Sequence, residues 1–92
     1  MHAVVVNVTI NDPEAANTML QGEVVPRVKE APGLVTAYWA RSDEGNKGGS
    51  MIVFESEENA QAAAARLREG PPGNSDAVTI DSIEVREVVA HL

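Results

Sequence analysis

LVTAYWAR at positions 34–41 and SMIVFE at positions 50–55 are the two segments around which the rest of the chain is organised. Both are rich in β-branched and aromatic residues, and the turn-forming sequence SDEGNKGG lies between them at positions 42–49. This pattern predicts a β-hairpin with a polar loop. All the aromatic residues of the protein, Tyr38, Trp39 and Phe54, lie on its arms. We therefore expect these aromatic side chains to lie where core packing or ligand recognition matters most.

The segment before the hairpin predicts a strand and a helix. Residues 2–10 are nearly continuous Val and Ile, which is typical of a strand that is covered on both faces. Asp12 followed by Pro13 is a helix start, because the carboxylate accepts from free N–H groups and proline suits the first helical position. Pro26 is expected to kink or break this helix near Gly22, and Pro32-Gly33 is expected to end it.

The segment after the hairpin predicts a second helix and a last strand. Ser56 can cap the helix, and Gly70 is expected to stop it. Its apolar face is almost all alanine, formed by Ala60, Ala63, Ala64 and Leu67. The Pro- and Gly-rich residues 70–76 are expected to form a stiff surface loop. Residues 78–90 are long for one strand, so a bulge is expected near Asp81-Ser82.

The order β-α-β-β-α-β predicts an α+β, ferredoxin-like domain that spans residues 1–92. Two right-handed β-α-β connections give a four-stranded antiparallel sheet with both helices on one face. The first strand is apolar on both faces, yet the chain is too short to cover the second face. We therefore expect a homodimer in which two sheets pack face to face as a barrel.

Composition narrows the class of protein. Seven basic against fourteen acidic residues give a net charge of −7, which disfavours binding to nucleic acid or to anionic membranes. There is no cysteine, so disulfides and thiolate metal sites are excluded. No apolar run approaches the length of a membrane span, and the N-terminal residues lack a basic signal-peptide region. The cytoplasm is the expected compartment.

Three segments resemble a known family. VPRV…APGL at positions 25–34, VFESEENA at positions 53–60 and IEVREVV at positions 83–89 resemble dimeric α/β-barrel proteins of the antibiotic-biosynthesis-monooxygenase type. The resemblance covers essentially the whole chain by element order. Members of this superfamily share a fold more than a chemistry. It includes cofactor-free oxygenases of polycyclic phenols, haem-degrading enzymes and small isomerases.

The resemblance to the haem-degrading members is incomplete. Those relatives place an Asn in the first strand, a Trp at the end of the third strand and a His about ten residues further on, in the second helix. Asn7 matches the first position and Phe54 occupies the second. The helix offers only Ala63, Ala64 and Ala65 at the third, so the resemblance does not predict haem degradation.

Asn7 is the first candidate ligand-binding residue, because it interrupts an apolar strand. A buried amide is costly unless it is hydrogen-bonded, so the alternative is an Asn that is satisfied by a neighbouring strand or by water. We predict that Asn7 lines a pocket between sheet and helices and matters more to binding than to stability.

The hairpin supplies the other candidate ligand-binding residues: Tyr38, Trp39, Arg41 and Phe54. Because Tyr38 and Trp39 are adjacent, they point to opposite sheet faces, and the loop length leaves open which one faces the helices. Packing in the core or at a dimer interface is the alternative for both rings. Arg41 shares a face with Trp39 and could bind an anionic substrate group, although an exposed arginine at a strand end is the commoner case.

The sequence predicts no catalytic residue, metal or cofactor. No nucleophile–base pair and no phosphate-binding loop is visible, and His2 with His91 would supply too few ligands for zinc. Three hypotheses remain. The first is a cofactor-independent monooxygenase or related enzyme of an electron-rich small molecule, and the second is a non-catalytic ligand-binding dimer. The third is a structural or interaction dimer, which a solid core would favour and an enclosed cavity would disfavour.

Overall fold

The computed structural model describes residues 1–69 and 76–92. The strands are β1 (His2–Ile10), β2 (Leu34–Arg41), β3 (Lys47–Phe54) and β4 (Val78–Glu87), and the main helices are α1 (Pro13–Met19), α2 (Val25–Lys29) and α3 (Glu57–Arg68). A π-helical turn, Leu20–Val24, joins α1 to α2. This is the predicted α+β order. The predicted helix stop and loop within residues 70–75 lie outside the described residues.

The four strands form one antiparallel sheet in the order β2-β3-β1-β4. The core lies on the face that the helices cover, where Val4, Val6, Ile52 and Phe54 pack against Ala60 and Ala64 of α3. Both alanines are fully buried. Their small side chains let α3 lie close to the sheet, and this helix packs against β1, β3 and β4.

Local signals place the helix starts where the sequence predicts them. The Asp12 carboxylate accepts from the N–H of Ala15 at 3.1 Å, and the Ser56 hydroxyl accepts from the N–H of Asn59 at 3.2 Å. Gly33 has a φ of 75°, and a Cβ there would lie 2.0 Å from the Asn59 side-chain nitrogen. Gly33 is therefore required both by its backbone conformation and by the close approach of α3.

The predicted interruption near Gly22 is confirmed and takes the form of the π-helical turn. Pro26 has no N–H to donate to the carbonyl of Gly22 four residues earlier. In the π-helical turn, the hydrogen bonds join residues five positions apart, as in the bond from the N–H of Val25 to the carbonyl of Leu20. The polypeptide consequently stays helical from α1 to α2 instead of breaking.

The bounds of β3 and β4 differ from the prediction. β3 begins at Lys47 rather than Ser50, because Gly48 and Gly49 pair with strands on both sides. The connecting turn is correspondingly short, and the N–H of Ser42 donates to the carbonyl of Lys47 at 2.8 Å. β4 ends at Glu87 rather than Ala90, because its partner strand β1 begins at His2. No helix in the described part of the chain is long and apolar enough to cross a bilayer.

The predicted bulge in the last strand is confirmed. Asn7 pairs with Ser82 and Val8 pairs with Ile80, so Asp81 is the extra residue. The shift keeps Ile80 and Ile83 on the face that packs against the core. Without the extra residue, the apolar residues on one side of the bulge would turn to the open face.

Candidate functional site

A partly open cavity of about 360 Å³ lies between the sheet and the helical segment from α1 to α2. This volume is within the range of pockets that hold small molecules. The lining is mainly apolar and comes from the four strands, the helical segment and α3. The apolar residues that line it include Val6, Val8, Ile10, Ala16, Met19, Leu20, Val24, Val28, Trp39, Ile52, Leu67, Val78 and Ile80.

The cavity exists because β3 carries small residues where it faces the helices. Gly48 and Ser50 lie on this face, opposite Val8 and Val6 of β1. A Cβ at Gly48 would lie 3.0 Å from Val8 Cγ2 and 3.3 Å from Ile10 Cδ1. Larger side chains here would fill the space beneath the helical segment. Gly48 was predicted to lie in a loop, so this feature was not predicted from the sequence.

The π-helical turn forms the wall opposite the sheet. Leu20, Gln21 and Val24 from this turn border the cavity. The extra residue per turn shifts side chains relative to a regular α-helix, and π-turns occur often at functional sites. Pro26 was the available sequence signal, but it indicated only an interruption and not the side of the helix that would face the sheet.

The structure decides between Tyr38 and Trp39. Trp39 pairs with Ser50, lies on the helix-facing side and lines the cavity. Tyr38 pairs with Met51 on the opposite face and is 68% exposed. The indole ring is half-buried, so it offers an aromatic surface to a bound molecule.

Arg41 also lines the cavity, two residues beyond Trp39 on the same face of β2. The residue is exposed, whereas Val6 and Ile52 at the cavity floor are buried. It is the only charged residue among the described residues that border the cavity. Arg41 therefore marks the open, solvent-facing end.

Phe54 does not line the cavity. It is 1% exposed and packs in the core with Ile52, Ala60 and Ala64. The interpretation of Phe54 as a ligand-contacting residue is not supported by this placement. Phe54 lies at the end of β3, beside the start of α3. It is the largest fully buried side chain of the described chain.

Asn7 does not line the cavity either, so the prediction that it lines a pocket between sheet and helices is wrong. The side chain is exposed on the sheet face away from the helices, and its amide donates to the Ser82 hydroxyl at 3.0 Å. The error arose because the apolar runs on both faces hid the parity of β1. Val4, Val6 and Val8 face the helices, which puts Asn7 on the other side.

The sheet face away from the helices, here called the open face, has a polar part and an apolar part. In the polar part, Thr9 donates to the Asp81 carboxylate at 2.7 Å and accepts from Lys47 Nζ at 2.9 Å. The apolar part includes Tyr38 and Met51, which is 46% exposed. An apolar surface of this kind on a small sheet favours association with another protein surface.

His2 lies beside Glu57, at the start of α3. His2 Nε2 lies 3.7 Å from a Glu57 carboxylate oxygen, and its Nδ1 is buried without a hydrogen-bond partner. Within residues 1–69 and 76–92, no group of three or more His, Cys, Asp or Glu residues is arranged to hold a metal ion.

No protein-family model matches the sequence, and no curated protein matches it significantly. Solved structures do match. SnoaB, a cofactor-independent oxygenase from Streptomyces nogalater, has a TM-score of 0.75 at 15% identity, with 99% of this chain and 95% of SnoaB covered. A variant of MhuD with two manganese protoporphyrin IX molecules per active site has a TM-score of 0.71 at 18% identity, with 100% and 98% covered. A dimeric ferredoxin-like protein from an uncultured marine organism has a TM-score of 0.63 at 12% identity, with 99% and 97% covered.

The chain therefore has a ferredoxin-like fold, and this fold is similar to those of SnoaB and MhuD. The resemblance stated from the sequence is confirmed at this level. The similar structures include the cofactor-independent oxygenase SnoaB and a MhuD variant with bound manganese protoporphyrin IX, so the fold is compatible with more than one activity.

Proposed function

We propose that the cavity binds an electron-rich aromatic molecule and that the protein is a cofactor-independent monooxygenase. The observation that supports this is the apolar cavity beside Trp39, between the sheet and the π-helical turn. A solid core would have favoured a purely structural dimer. The similarity in fold to the cofactor-independent oxygenase SnoaB favours the same reaction class.

The residues that line the cavity are better suited to positioning a substrate than to transferring its protons. Ser50, Asn17 and Gln21 border the cavity, and their side chains have no hydrogen-bond partner in the described chain. They can bind a phenol or ketone oxygen, and the apolar walls exclude water. With no titratable base among the described lining residues, the substrate itself must ionise readily, and its carbanion gives electrons to dioxygen. For an anthrone, the CH₂ group becomes C=O and the second oxygen atom leaves as water.

Oxygen uptake with anthrone tests this proposal. We expect the protein, with no flavin or metal added and with a chelator present, to consume one dioxygen per anthrone and to form anthraquinone faster than buffer does. Heat-inactivated protein is the control for adsorption. An uptake rate equal to that of buffer, measured with anthrone shown to be bound, would exclude the oxygenase.

A non-catalytic ligand-binding protein is the second candidate. The absence of a titratable acid or base, apart from Arg41, among the described lining residues favours it. Bound anthrone without oxygen uptake would establish this function. The binding measurement therefore has to accompany the uptake measurement.

We further propose that the protein acts as a homodimer through the open face. Tyr38 and Met51 expose apolar surface there, and Met51→Arg would place a charge on this apolar surface in each copy. We expect light scattering after size exclusion to show a dimer at tens of micromolar, with a Kd raised at least about tenfold by Met51→Arg. Ala62→Arg, on an exposed position of α3, should leave the dimer intact. A monomeric wild type would contradict the barrel dimer.

We predict that the protein does not degrade haem. No histidine borders the cavity in the described chain, and α3 presents Ala63, Ala64 and Ala65 where the resemblance would require the ligand. Titration with haem should give only weak, non-saturable absorbance changes. A saturable Soret shift, followed by loss of the haem spectrum in a reducing system, would contradict this.

A further inference from the structure

The charge distribution around the cavity points to the chemistry of its ligand. The Arg41 side chain makes no hydrogen bond or ion pair with any described residue. Asp43 and Glu44 follow it in the chain, but neither is paired with it. A guanidinium group is always charged at neutral pH and presents a planar fork of donors that matches a carboxylate. Its donors are therefore available to a bound molecule.

The position of Arg41 separates the charged end of the cavity from its apolar end. Val6 and Ile52 form a buried floor, and Trp39 and Ser50 lie between that floor and Arg41. An anion bound beside Arg41 would stay in contact with water, so it would avoid the large cost of burying a charge. The apolar body of the same molecule would be removed from water beside Trp39.

The residues that line the cavity match a cationic ligand or a neutral apolar ligand less well than an anionic one. No acidic residue borders the cavity among the described residues, so a cationic ligand would have no counter-charge. A neutral apolar ligand would leave the Arg41 guanidinium unpaired. The protein as a whole carries a net charge of −7, so an arginine at this opening supplies a local attraction that the overall field lacks.

We propose that the ligand is an aromatic monocarboxylate whose carboxylate binds Arg41 and whose ring system lies along Trp39. This inference rests on the proposed small-molecule site and specifies the class of molecule it accepts. Arg41 acts as the specificity-determining residue, because its paired donors distinguish a carboxylate from a neutral group of the same shape.

A matched pair of probes tests this inference: 2-naphthoate, and its neutral isostere 2-naphthamide, titrated by calorimetry into wild type, Arg41→Gln, Arg41→Lys and Arg68→Gln. We expect wild type to bind naphthoate about tenfold more tightly than the amide, a difference of about 1.4 kcal/mol. Arg41→Gln should remove the preference without changing the affinity for the amide. Arg41→Lys should retain part of it, and Arg68→Gln, on an exposed position of α3, should retain all of it.

The outcomes separate this inference from the proposed function. Equal affinity of wild type for both probes, or a preference that survives in Arg41→Gln, would overturn the carboxylate site and leave the cavity as a ligand site. Failure of wild type to bind either probe would overturn both. A naphthoate preference that falls as salt rises, and that is absent from Arg41→Gln at every salt concentration, would support a direct ion pair.

Discussion

Gly48→Val is expected to weaken ligand binding strongly while leaving the protein folded. A Cβ at this position would lie 3.0 Å from Val8 Cγ2 and 3.3 Å from Ile10 Cδ1, and valine adds two further methyl groups. Val8 and Ile10 are half-buried and border the cavity, so they can yield only into the space that the ligand would occupy. We expect the affinity for 2-naphthamide to fall at least about tenfold.

The stability of Gly48→Val should change little. Valine suits a strand better than glycine does, and the adjacent empty space absorbs the displaced side chains, so the free energy of unfolding should stay within about 1 kcal/mol of wild type. Urea unfolding and calorimetric binding on the same preparation would check both expectations.

Gly49→Val is the matched control for Gly48→Val. Gly49 is the next residue of β3 and its backbone borders the cavity, but its Cβ would point to the open face. There it would meet only Asn7 Oδ1 at 3.6 Å and the Val6 carbonyl at 3.7 Å, which are ordinary contacts. Binding of the probe should be retained. Equal loss of binding in both variants, or normal binding in Gly48→Val, would show that the ligand does not occupy this cavity.

Phe54→Ala is expected to give the largest loss of stability. The ring is 1% exposed and packs with Ile52, Ala60 and Ala64. Because the neighbouring alanines are too small to collapse into the space, the substitution should leave a void and cost about 3–5 kcal/mol. That is a large part of the stability of a small domain. At a fixed protein concentration, we expect the melting temperature to fall by at least about 12 °C.

Phe54→Leu is the graded companion of Phe54→Ala, because it keeps most of the apolar volume and should cost clearly less. Any fraction of Phe54→Leu that remains folded should bind 2-naphthamide as wild type does, since Phe54 lies in the core and not on the cavity. A cost below about 1 kcal/mol for Phe54→Ala would contradict the core assignment. Loss of binding in a fully folded Phe54→Leu would restore its interpretation as a ligand contact.

The sequence by itself determined the element order and the helix starts, because these depend on neighbouring residues. Asp12 and Ser56 cap helices through bonds to residues three positions further on. The β-branched run of β1 and the interruption caused by Pro26 are equally local. The bulge at Asp81 could be predicted because the last apolar run was too long for one regular strand.

Only the tertiary structure decided which residues form the site. Pairing of Gly48 and Gly49 with β1 brought two apparent loop residues into a central strand and opened the cavity. The same register put Trp39 in the cavity and Asn7 on the open face. Side chains alternate along a strand with a period of two, so a shift of one residue exchanges the faces. That choice depends on contacts between residues far apart in the chain, and on core packing of Val4 and Val6, which no local pattern encodes.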